Sequence, residues 1–216
     1  WRGAGGLYHL ECDYRLVIDN LMDLTHETYV HSGSIGDKAV VDSPIRTEQQ
    51  GDRIVVTRWM LDHEPAPFWR KTIDAAFDNV GHVDRWQMID YAMPANIAID
   101  VGVAETGTGA PDGDRGRGVT AMILNSITPE TETSCWYFWC PVRNYDLDNQ
   151  ALTETFRDNV GTIFLEDVAV LEAQQRAMTR HADRPLVNIS ADTGALRARR
   201  LLERAVARQD RGAEAA

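Results

Sequence analysis

Two hydrophobic rhythms divide the chain. Between residues 45 and 142 apolar side chains come in short runs at every second position; from residue 149 onward they return every third or fourth. Period two buries one face of a strand, and period 3.6 buries one stripe of a helix. Strands are expected at residues 45–49 and 53–60, joined by a hairpin at Gln50-Gly51-Asp52. More are expected at 85–92, 96–104, 119–128 and 133–142. The alternation is clearest in Ile97-Ala98-Ile99-Asp100-Val101. Pro65-Ala66-Pro67 takes the chain out of the sheet, and residues 68–77 form a short helix or a loop packed over it. Near the start, residues 7–14 read as a short strand.

The long helical segment spans residues 149 to about 181. Leu152, Phe156, Val160, Ile163, Phe164, Asp167, Val168 and Leu171 form its buried stripe. Asp167 is the anomaly, because a bare carboxylate on a core face costs several kcal/mol unless paired or bound to a cation. Glu166 turns about 100° away and belongs to the solvated side or to a supporting role. A last amphipathic helix, rich in arginine, is expected from residue 193 to about 209, with a frayed tail at 210–216. Strands bracketed by helices indicate an α+β domain.

Composition narrows the function classes. The chain is 44% hydrophobic and 25% charged, ordinary for a globular domain. Its net charge of −11 argues against a nucleic-acid partner or an anionic membrane surface. No run reaches the length of a membrane span, and the first residues lack a signal pattern. Cys12, Cys135 and Cys140 are too few and too irregular for a disulfide framework, which fits a reducing cytoplasm. Residues 105–118 hold five glycines, yet Gly107-x-Gly109 lacks the third glycine of a phosphate cradle and no Lys-Ser/Thr follows. They read as a hairpin loop.

The candidate chemistry lies in residues 19–31, where an apolar run (Leu16, Val17, Ile18, Leu21, Met22) precedes His26 and His31. On a continuous helix five residues rotate by about 500°, leaving the two rings about 140° apart. They converge on one metal only if the helix ends or bulges between them. A zincin helix is excluded, because His26-Glu27 opens H-E-x-x-H but Val30 occupies the fifth position. Two imidazoles plus one carboxylate from elsewhere make the facial triad of non-haem Fe(II) oxygenases.

This stretch resembles the iron-binding segment of Rieske-type aromatic-ring oxygenases. His26 and His31 match the family's iron-ligating histidines, Asn20 a polar residue beside the iron, and Asp23 the aspartate that bridges an iron histidine to the Rieske cluster of a neighbouring subunit. Phe164-Leu165-Glu166-Asp167-Val168 and Leu171-Glu172-Ala173-Gln174-Gln175 match the helix of the third ligand, with Asp167 in its place. Ile127-Thr128-Pro129-Glu130-Thr131-Glu132-Thr133 and Tyr137-Phe138-Trp139 resemble the subgroup of vanillate O-demethylase oxygenases. The likeness extends from Trp1 to about Arg204.

The resemblance implies an antiparallel sheet curved around the long C-terminal helix, the helix-grip (START/Bet v 1-like) arrangement, with a mononuclear Fe(II) at the inner end of a pocket between them. It implies O-demethylation of a methoxylated aromatic acid, vanillate to protocatechuate plus formaldehyde, using O2. Electrons would come from NADH through a separate flavin and iron–sulfur reductase, and subunits would form head-to-tail homotrimers. The family carries a Rieske [2Fe-2S] domain upstream. Cys135-x4-Cys140 has no partnering histidine nearby, so residues 1–216 read as the single catalytic domain alone, without that Rieske domain. Pocket candidates are Asn96 and Asn125 as hydrogen-bonding groups and Ile163 and Phe164 as apolar wall. The alternatives are another aromatic acid as substrate, or a metal-free helix-grip ligand-binding module, which has no need of His26, His31 and Asp167 together.

Overall fold

The computed structural model describes residues 1–31 and 43–214, the last five of these as backbone only. Among the described residues eight strands form one antiparallel sheet: β1 (Arg2–Gly3), β2 (Gly6–Leu10), β3 (Ile45–Gln50), β4 (Arg53–His63), β5 (Val83–Ala92), β6 (Asn96–Glu105), β7 (Gly118–Pro129) and β8 (Cys135–Arg143). Their order is β1-β8-β7-β6-β5-β4-β3, and β2 also pairs with β8. From β3 to β8 every neighbour in sequence is a neighbour in space, a meander whose β4–β5 connection carries a helix (Pro67–Ala76). Gly51, at φ +63°, makes the β3–β4 turn, where a left-handed backbone suits glycine.

Among the described residues five α-helices pack on the sheet: α1 (Tyr14–Met22), α2 (Glu27–Val30), α3 (Pro67–Ala76), α4 (Gln150–Arg180) and α5 (Thr193–Glu214). Asp13 caps α1 by accepting from the Arg15 N–H, and Asn149 caps α4 by accepting from the Leu152 N–H. The backbone of α5 stays helical through residues expected to fray. Ser32-Gly33-Ser34-Ile35-Gly36, where glycine and serine disfavour continuation of a helix, lies outside the described residues.

Strand alternation sorts the side chains. In β8, Cys135, Tyr137, Trp139 and Arg143 are buried inward, whereas Trp136 and Phe138 are exposed on the outer face. Cys135 and Cys140 therefore point to opposite faces and cannot share a cluster. The main core joins α1, α4 and α5 to the inner face through Val17, Ile18, Met22, Ile54, Tyr91, Phe164 and Leu201, among others. A smaller cluster seats Trp69 and Ile73 of α3 on Val83, Val103 and Val119. On the outer face the β6–β7 loop folds back, placing Arg115 over the Trp86 ring and against Asp100. Among the described residues, no helix is long and apolar enough to cross a membrane.

Candidate metal centre

The segment carrying the two histidines is not one helix. α1 stops at Met22, and Asp23 takes an extended conformation (φ −96°, ψ 118°). The Asp23 carboxylate then accepts from the Thr25 N–H at 2.7 Å and the Thr25 hydroxyl at 2.6 Å, a local turn that competes with helix. α2 is a single turn with His26 at its start and His31 at its end. His31 has left helical geometry (φ −107°, ψ 28°), which swings its ring back toward His26. The ring centroids lie 5.1 Å apart. Asp23 thus faces His26 across a turn and not along a helix, with Oδ2 3.7 Å from Nδ1. That is an ion-pair distance, not a hydrogen bond.

Asp167 enters from α4. Its Oδ1 stands 3.2 Å from His31 Nε2 and 3.6 Å from His26 Nε2. Ligating atoms of His26, His31 and Asp167 lie within 4.8 Å of one another, the one group of this kind among the described residues. Asp167 Oδ1 and His26 Nδ1 are buried and lack a hydrogen-bond partner among the described residues. An orphaned carboxylate oxygen facing two imidazole nitrogens calls for a proton or a cation between them. Two nitrogen donors and one oxygen donor on one side, with room beyond, fit Fe(II). Glu166, on the same helical turn as Asp167, accepts from His31 Nδ1 at 2.7 Å.

The electrostatics follow from this crowding. Burial pushes both histidines toward the neutral form, but the acids outweigh it: Asp23 and Asp167 raise His26, and Asp167 and Glu166 raise His31. Burial of Asp23 is in turn outweighed by His26 and the Thr25 donors, which hold its carboxyl below the usual range. Desolvation raises Glu27 despite the nearby Arg85 and Arg58.

A cavity of about 370 Å³ borders the triad. Ile89, Ile99, Val101 and Ile123 from the sheet and Phe156, Val160, Ile163 and Phe164 from α4 give it apolar walls; Phe68 and Trp69 of α3 complete them. Asn20, Asp23, Glu27, Arg85 and Gln87 bring polar groups to the lining. Asn96 and Asn125 do not line it. Asn96 is exposed at the end of β6 with the outward-facing set and borders a separate groove of about 650 Å³ on the outer face. Asn125 faces inward, but its amide N–H groups go to the Ile97 and Ile123 carbonyls and its oxygen to the Tyr137 hydroxyl. The polar groups that do line the cavity include three that sequence reasoning missed.

The missed groups are Arg85, Gln87 and Glu27. Gln87 Nε2 donates to Glu27 Oε1 at 2.5 Å, while Arg58 Nη2 donates to the Leu24 carbonyl at 2.8 Å. Arg85 is 3% exposed and is the one Arg or Lys among the described lining residues. The legible signal was polar residues at both parities of β5, which a strand with one solvated face does not show.

Comparison with known proteins follows the same outline. The model of the vanillate O-demethylase oxygenase C-terminal domain matches residues 10–208. The vanillate O-demethylase oxygenase subunit of Pseudomonas sp. (strain ATCC 19151) is 44% identical over 217 residues, covering all of this chain and 65% of that protein. The toluene-4-sulfonate monooxygenase system iron-sulfur subunit of Comamonas testosteroni is 38% identical, covering 98% of this chain and 61% of that protein. Among solved structures, dicamba monooxygenase bound to 3,6-dichlorosalicylic acid superposes with a TM-score of 0.82 at 28% identity, covering 94% of this chain and 58% of that one. The chain thus spans 61–65% of the length of these two curated relatives.

Proposed function

The chain belongs to the vanillate O-demethylase oxygenase C-terminal domain family, as a Rieske oxygenase catalytic domain, and on that premise we propose that it O-demethylates a methoxylated aromatic acid at a mononuclear iron. The observation that carries the reading is the convergence of His26, His31 and Asp167 beside an apolar cavity. These three residues would hold the metal. Fe(II) with open positions supplies dioxygen activation next to a bound substrate.

The protein's own contribution is binding and exclusion. Ile89, Ile99, Val101, Phe156 and Phe164 offer an aromatic ring a dry slot. Arg85 meets the substrate's anionic group, since a guanidinium has five N–H donors and suits a carboxylate or sulfonate. Relatives named for vanillate and toluene-4-sulfonate support an anionic aromatic class. Asn20, which borders the cavity, would stand beside the metal without ligating it. Hydroxylation of the methoxy carbon, using O2, two electrons and two protons, gives a hemiacetal and water. The hemiacetal splits into a phenol and formaldehyde.

Asp23 is the proposed route for electrons, reaching from His26 toward a Rieske [2Fe-2S] cluster on a neighbouring subunit of a homotrimer. Its side chain is 23% exposed, enough to meet such a partner. NADH, through a flavin and iron–sulfur reductase, is the proposed electron source. Iron content tests the reading: His26→Ala, His31→Ala and Asp167→Ala each lose the metal, and wild-type stoichiometry in all three refutes it. With the intact system, formaldehyde release across a panel of methoxybenzoates then ranks the substrates.

A further inference from the structure

We propose that Glu166 is a positioning residue that fixes the His31 imidazole as its Nδ1–H tautomer and so turns Nε2 toward the metal site; this rests on the metal reading above. The His31 side chain is 2% exposed, hydrogen-bonded at Nδ1 by Glu166 and faced at Nε2 by Asp167, the next residue of α4. Glu166 Oε2 lies 2.7 Å from Nδ1, and Asp167 Oδ1 lies 3.2 Å from Nε2. Successive side chains on a helix diverge by about 100°, so neighbours of one turn can reach opposite edges of one ring. An ionised carboxylate has no proton to give, so the hydrogen in the Glu166 bond sits on Nδ1. Nε2 is left with its lone pair, aimed where Asp167 Oδ1 also points.

His26 has no equivalent. Its Nδ1 is buried, lacks a hydrogen-bond partner among the described residues, and lies 3.7 Å from the nearest Asp23 oxygen. The two rings therefore enter metal binding differently: His31 is pre-set by the fold, whereas His26 is set by a looser charge contact. A hydrogen-bonded carboxylate behind a ligating imidazole also raises its basicity. The Glu166 side chain is 41% exposed, but its partner is not, which separates this contact from an ordinary surface pair.

The test uses the whole metal-free chain at alkaline pH, above the imidazole range. Long-range proton–nitrogen NMR correlations of the imidazoles read each tautomer directly. Wild type should show His31 as Nδ1–H; Glu166→Ala should populate Nε2–H; Glu166→Gln, whose amide oxygen still accepts, should restore the wild-type pattern. Near neutral pH, Co(II) titration should show affinity falling by about ten- to a hundredfold in Glu166→Ala, with most of it recovered in Glu166→Gln. A His31 tautomer or a Co(II) affinity unmoved by Glu166→Ala makes Glu166 a surface ion pair only and overturns the proposal. If wild type binds no Co(II), the metal reading fails, while the tautomer measurement still decides what Glu166 does to His31.

Discussion

The groove on the outer face of the sheet and the cavity on its inner face are built in different ways. The outer groove is about 650 Å³ and the inner cavity about 370 Å³. The outer groove is built from strand residues and the first turn of the chain, with Leu124, Phe138 and an Arg53–Asp90 ion pair among its lining. The inner cavity draws on the sheet, α1, α2, α3 and α4 together. Only that closure from distant parts of the chain buries carboxylates and imidazoles against one another. What distinguishes the inner cavity is the enforced proximity of buried carboxylates and imidazoles.

The sharpest way to break this contrast is at the metal. Asp167→Ala should weaken Co(II) or Fe(II) binding by more than about a hundredfold, since one of three ligands is gone. The metal-free variant should stay folded or gain stability, because a buried orphaned carboxylate has been removed. Asn96→Ala on the outer face should leave metal affinity unchanged. Equal losses in the two variants would erase the distinction between the faces.

Packing gives the next largest effect. Phe164 is 7% exposed and sits against Tyr137 and Trp139, whereas Phe138, on the outer face of the same strand as those rings, is 45% exposed. Phe164→Ala should cost about 3–5 kcal/mol. Phe138→Ala should cost about 1 kcal/mol or less in the isolated chain. Urea unfolding of the two variants measures both, and a Phe138 cost as large as that of Phe164 would place part of the core on the outer side.

Two arginines sharpen the comparison further. Arg85 borders the inner cavity and Arg53 the outer groove. Arg85→Gln should lower affinity for an aromatic carboxylate by about tenfold or more, on the scale of 1.5–3 kcal/mol for a charged hydrogen bond, and should spare the neutral methyl ester. Arg53→Gln should change neither. Tryptophan fluorescence titration follows both ligands, and parallel losses for acid and ester would remove Arg85 from anion recognition.

The smallest expected effect is a pH dependence confined to the inner side. His26 and His31 bind protons more tightly in the folded chain than free imidazoles do. That linkage stabilises the metal-free fold fully below about pH 6.5, and the contribution is lost as pH rises through the raised folded-state values. Metal binding has the opposite slope, because the ligating nitrogens must release those protons. Urea midpoints of the metal-free chain should therefore fall across this range, while Co(II) affinity rises. His31→Gln should flatten the first trend.

The α+β class, the hairpin at Gly51, the strand ladder and the long α4 were legible in the sequence because hydrophobic periodicity reports which faces leave water. Asp167 stood out by the same logic, a carboxylate on an apolar stripe. Periodicity is silent on which of two strand faces turns toward the helices. Asn96 and Asn125 look alike along the chain, yet one meets solvent and the other spends its amide on two carbonyls and a tyrosine. Nor does periodicity show that α1 stops at Met22 and that a single-turn α2 brings His26 and His31 together, which depends on Asp23 choosing the Thr25 N–H over helix continuation. Polar residues at both parities of β5 show that one of its polar sets is buried, but only the placement of β5 inside the sheet with α2 above it shows that the set is Arg85 and Gln87. Local side-chain patterning determined the elements; the long-range closure of α4 over the sheet decided which of their polar groups became a site.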